Sequence, residues 1–177
     1  MKFHNWLELN ESSLQGLYTS AVNAFPNTRK RQNSVNEISI TNLSFVPFLG
    51  VRTLFVKGLA RNELKGTEYN PMILFKNVRY YDSKNPHLAE LSTSNGSKYF
   101  FERLNTNQDV VLRCGCQDFY WRFNYEDHID RSLYGRKKRK YEAKINPGSA
   151  NPRKLPGMCK HLMQLVRSLD NNGILED

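Results

Sequence analysis

Cysteine is scarce in this chain: there are three among 177 residues. An odd number excludes a closed disulfide framework. Cys114 and Cys116 are also too near each other on extended backbone to bridge without strain. No run of about 18 apolar residues occurs, so the sequence offers no membrane-spanning helix. The opening stretch MKFHNWLELNESS holds one lysine and lacks the apolar core of a signal peptide. The expectation is a chain kept in a reducing compartment rather than exported by a signal peptide. Also missing are a Gly-rich phosphate loop, HExxH, GxSxG and a convincing carboxylate pair. These absences weigh against an enzyme and against a small-molecule substrate.

What is present is an ordinary globular composition, 39% hydrophobic and 12% aromatic. The length suits one domain, 1–177. The net charge is +9, and it is concentrated. Residues 130–160 hold ten Lys/Arg against two Asp/Glu. A local excess of this kind points to an anionic partner more directly than a high isoelectric point does.

Along the chain, residues 12–25 have Leu14, Leu17, Tyr18, Ala21, Val22 and Phe25 at helical spacing. Ser12 or Ser13 stands ready to cap, and Pro26 ends the pattern. Residues 27–36 read as a basic loop. From 37 onward strands are expected: around Ile38 and Ile40, then 51–57, 72–81, 98–104 and 109–114, with loops at 61–70 and 82–97. In 117–125, Phe119, Trp121, Phe123 and Tyr125 alternate with polar residues. This predicts a half-buried strand whose aromatic side faces the core rather than serving as a stacking platform. The β-rich core therefore covers 37–125. A basic, Pro/Gly-punctuated excursion follows over 126–157, and a closing helix over 159–169 has Leu162, Leu165, Val166 and Leu169 inward. The fold class predicted is α+β, a mostly antiparallel sheet with an N-terminal and a C-terminal helix.

All three cysteines join one histidine in a pattern: Cys114-Gly-Cys116, a gap of 42 residues, then Cys159-Lys-His161. Three thiolates and an imidazole fill a tetrahedral zinc shell with no position left for a catalytic water. Within a helix a spacing of two points side chains apart. Cys159 should therefore sit before the helix, after the Pro156-Gly157 turn, with His161 inside it. Closing the long gap costs little, because loop entropy grows only logarithmically. Two other readings stay open: three unrelated core cysteines, or a Cys159–His161 nucleophile pair, which lacks an orienting acid nearby. His4, His87 and His128 complete the histidines, with His128 expected on the surface.

The CxC…CxH pattern of Cys114, Cys116, Cys159 and His161 resembles the SWIM-type zinc finger, whose modules serve nucleic-acid or protein contacts. More broadly, ILFKNVRYY, CGCQDFYWRF, DRSLYG and NPRKLPGMCKHLM resemble a family of small virion proteins of tailed bacteriophages. That resemblance implies a structural component in a virion or the host cytoplasm, partnered by other assembly proteins and not by a membrane.

The run Arg136, Lys137, Lys138, Arg139 and Lys140 is either a solvated loop or a finger for phosphates or an acidic protein surface. Tyr134 and Tyr141 flank it and are candidates to stack on bases. The sequence thus leads to a non-enzymatic assembly protein knotted by structural zinc. The alternatives are a nucleic-acid-binding zinc protein and, as a third, an enzyme such as a nuclease.

Overall fold

The computed structural model describes residues 12–24, 34–140 and 150–176. Phe25, Pro26, Tyr141 and His4 lie outside the described residues, as does most of the expected loop 27–36. Helix α1 (Leu14–Ala24) starts where Ser13 accepts the Gly16 amide on its hydroxyl at 3.1 Å. Leu14, Leu17 and Ala21 are buried on one face, as the spacing predicted.

Strands β1 (Ile38–Phe48), β2 (Thr53–Asn62), β3 (Glu68–Tyr69) and β4 (Met72–Phe75) follow. They join β9 (Val110–Arg113) in one antiparallel sheet of order β1-β2-β4-β9, with β3 beside β2. Strands β5 (Tyr80–Tyr81), β6 (Leu88–Ser92) and β7 (Lys98–Glu102) form a second antiparallel sheet. β8 (Leu104–Asn105) pairs in parallel with the last strand, β10 (Leu175–Glu176). The period-2 pattern puts Leu54, Val56, Ile73, Phe75, Val110 and Leu112 on the core face. The architecture is the expected mixed α+β fold. Among the described residues, no helix is long and apolar enough to cross a membrane.

One expectation fails clearly. Residues 117–125 do not form a strand; they form helices α2 (Gln117–Arg122) and α3 (Asn124–Ile129). The aromatic spacing serves both periods, since Phe119 and Phe123 are four apart and share a helix face. Both are buried, with ring centroids 6.4 Å apart, whereas Trp121 turns outward and is 39% exposed. Two local signals favour the helix. Cys116 caps it, its sulfur accepting the Phe119 amide at 3.3 Å, and Asp118 pairs with Arg122 one turn on. The expected strand at 72–81 is also interrupted after Phe75. The expected loop 82–97 contains β6, and β1 runs on to Phe48.

The closing helix, α4 (Lys160–Asn171), lies on the core face with Leu162, Met163, Leu165 and Leu169 buried. It approaches the sheet at Gly58. A Cβ there would stand 2.9 Å from Ile40 and 3.2 Å from Leu165. We expect Gly58→Ala to cost about 1–3 kcal/mol by forcing Ile40 and then Leu165 of the helix to shift. Urea unfolding checks this, and an unchanged midpoint would mean that the helix yields freely.

Candidate metal centre

Two places in the chain, far apart in sequence, deliver the four predicted ligands. Cys114 follows the end of β9, and Cys116 is the N-cap of α2. Cys159 is the N-cap of α4, in extended conformation, and His161 lies in the first turn of that helix. The spacing therefore works as expected at the second pair. At the first pair the sulfurs straddle a strand end and a helix start rather than two strands.

The ligand atoms of Cys114, Cys116, Cys159 and His161 all lie within 4.8 Å of one another. A tetrahedron with metal–sulfur bonds of about 2.3 Å has ligand–ligand edges of about 3.8 Å. The Cys159 sulfur and His161 Nδ1 stand 3.8 Å apart. None of the four residues is more than 3% exposed. Tyr69 packs its ring on the imidazole, with centroids 4.9 Å apart, while Nε2 is buried with no hydrogen-bond partner. Three sulfurs and a ring nitrogen gathered in an apolar core, with little else to bond to, fit a metal ion.

The electrostatics agree. Burial pushes the Cys159 thiol well above the usual range, and the neighbouring sulfurs push it further. Cys114 is raised as well, first by its hydrogen bond to Cys116. Cys116 is held far below that range by hydrogen bonds from Cys114 and then Cys159. The protein alone thus opposes ionisation of all three thiols together. A divalent cation at their centre would stabilise all three as thiolates. The reading of unrelated core cysteines does not account for this convergence.

The segment between the pairs is built into the fold at both ends, which sequence reasoning missed. After α3 the chain runs beside β9, with Leu112 donating to the Ser132 carbonyl at 2.8 Å and Tyr134 donating to that of Leu112 at 3.0 Å. Near Cys159, Asn151 is buried. Its amide donates to the carbonyls of Leu155 at 2.6 Å and Arg122 at 3.1 Å. Asp127 is wholly buried and accepts the Gly157 amide at 2.8 Å. Gly157 itself has no room for a side chain, since a Cβ would lie 2.8 Å from Phe123. The run of small polar residues gave no sign of these anchors, because a single buried Asp or Asn looks like any loop residue.

The basic run also has a defined course. Arg113 donates to the carbonyls of Tyr134 and Arg136, and Asn124 accepts the Lys138 amide at 2.8 Å. Residues 136–140 are exposed. Tyr134 does not flank the run as an open stacking ring; it packs on Phe55 of β2, with centroids 5.6 Å apart. His128 is exposed, as expected. Compared with known proteins, the chain matches no family model, no curated sequence and no solved structure.

Burial raises the Asp127 carboxyl well above the carboxylate range, against the lowering effect of the Gly157 amide. The unfolded chain therefore ionises first. Stability falls as pH climbs past about 3.9, the unfolded value, and keeps falling until the folded group also ionises. Asp127→Asn retains the acceptor for Gly157 and removes the ionisation. We expect it to match or exceed the parent in stability at neutral pH, with the difference shrinking toward pH 4. Asp127→Ala, which orphans the amide, should lose about 1–3 kcal/mol. Urea titrations of the three proteins at matched pH check both, the comparison at each pH removing the pH dependence of every other group.

Proposed function

We propose that Cys114, Cys116, Cys159 and His161 hold a structural zinc ion and that the protein is a non-enzymatic assembly module. The observation that carries this reading is the closure of the site: four buried ligand atoms, of the kinds zinc takes in structural sites. A complete set leaves no coordination position for a substrate or an activated water. Sulfur-rich tetrahedral surroundings also favour zinc over the harder divalent cations. The SWIM-like spacing supports the same metal, and the likeness to tailed-phage virion proteins supports a particle as the setting.

A docking module needs a surface to dock with. The β1–β2 hairpin tip offers one. Val46, Phe48 and Leu49 are 40–48% exposed there, and Val51 is 70% exposed. Four large apolar side chains within six residues exceed the scattered apolar exposure of an ordinary surface.

A second reading, nucleic-acid binding through residues 136–140, is favoured by the ordered course of the basic run. No salt bridge among the described residues engages those five side chains, which leaves them for an outside anion.

Metal analysis of the purified protein should give one zinc per chain. Cys159→Ser should lose most of it and several kcal/mol of stability, given apparent zinc affinities of about 10–16 kcal/mol in finger peptides. A full-length protein that folds equally well without metal would remove the structural role. In a purified particle the parent chain should be stoichiometric, whereas Phe48→Glu should stay out of particles with its thermal midpoint unchanged. Retention of that variant would clear the hairpin tip of a docking role.

A further inference from the structure

Three of the five exposed cations face aromatic rings. Lys137 and Lys140 lie over the ring of Tyr125, at 5.7 and 4.9 Å from its centroid, and Lys138 lies over Tyr120 at 5.5 Å. Tyr120 belongs to α2 and Tyr125 to α3, so the strap crosses both helices. Both rings are half-buried, and Trp121 is exposed on the same short helix. The strap's backbone is held from beneath by Asn124 and, at its start, by Arg113. The result is a row of ammonium groups interleaved with aromatic faces on a fixed course.

We propose that this strap and the α2–α3 shelf form a binding site for single-stranded nucleic acid, with phosphates on Lys137, Lys138 and Lys140 and bases stacked on Tyr120 and Tyr125. The inference rests on the nucleic-acid reading of residues 136–140 and adds the strandedness and the rings. Charge complementarity chooses a polyanion: Arg136 to Lys140 give five consecutive positive charges with no carboxylate bridged to them among the described residues. The rings choose the single strand. An ammonium drawn onto a phosphate uncovers the aromatic face it occupied, and an unpaired base has a π-face to place there, whereas a duplex keeps its faces stacked inside. Because the backbone is already tied down, little ordering entropy opposes binding.

The test is fluorescence anisotropy on the full-length, metal-loaded protein with a labelled oligothymidylate of about 20 nucleotides and the matching duplex, at about 50 and 200 mM salt. The single strand should bind at least about tenfold more tightly than the duplex. Tyr120→Leu with Tyr125→Leu should weaken it about tenfold or more, and the two Tyr→Phe changes should restore it. Changing Lys137, Lys138 and Lys140 to Gln should flatten the log–log salt dependence by about 2. Photo-crosslinking of a bromouridine strand should map to Tyr120, Trp121 or Tyr125, which gives a result even if the Leu variants do not fold. Equal affinity for both strand forms with no effect of ring removal, or crosslinks elsewhere, overturns this inference and leaves a general polyanion site. Absence of binding to any nucleic acid overturns the underlying reading as well.

Discussion

Burying three thiols and an imidazole against one another is the constraint on which the rest of this structure depends. Sulfurs packed this closely in an apolar core cannot all ionise in the protein alone, because each negative charge opposes the next. A metal ion bound among them would turn that conflict into cohesion. Its ligands would come from the end of β9, the cap of α2, and the cap and first turn of α4, three elements that meet at this one point. The three sulfurs lie within the one apolar core, and α4 packs on the sheet immediately beyond His161.

The described parts of the segment between the two pairs are held by single buried polar groups as well as by the apolar packing of Leu133 and Tyr134. Asp127 holds the Gly157 amide, Asn151 bridges to Arg122 and Leu155, and Asn124 holds Lys138. Each lies inside or beside α2–α3, so these two short helices anchor the described parts of the excursion. Helices of six residues have little stability of their own. Here the cap on Cys116 and the burial of Phe119 and Phe123 supply what propensity does not. The left-handed conformation of Arg131, with φ of 65°, turns the chain from α3 back to β9 at an energetic cost that these anchors offset.

The Cys/His cluster was legible because its chemistry is rare: three cysteines in 177 residues, joined by one histidine in two pairs at spacing two, leave few alternatives. The amphipathic helices at either end were legible because Leu14 to Val22 and Leu162 to Leu169 keep one period throughout. Residues 117–125 misled because Phe119, Trp121, Phe123 and Tyr125 satisfy a period of two, while only the pair four apart is buried. The deciding signals were a cysteine used as a cap and an Asp118–Arg122 pair, both read only once the cap is known. Strand β6 escaped notice because Leu88–Ser92 is short and half-exposed, without the β-branched run that marks β2. The strap was seen as charge, and its course was not, because that course depends on Asn124 and Arg113, which carry no mark in the sequence.

The cysteine cluster and the cationic strap share a helix. Cys116 is both a member of the cluster and the cap of α2. Tyr120, one turn further along, accepts Lys138 on its face, and Asn124 follows at the head of α3. A change in the grip on Cys116 therefore reaches the strap through a single helical turn. Whatever anion the strap takes must in return favour the geometry in which that turn is intact. If the cluster holds a metal and the strap an anion, linkage requires each to change the other's affinity by the same factor, a coupling as large as the difference in strap order between the metal-bound and metal-free chain. A knot placed in the core beneath a mobile cluster of charge would stabilise the fold alone. Placed at the cap of the helix that carries the strap, it would also set how well ordered that charge is before any partner arrives.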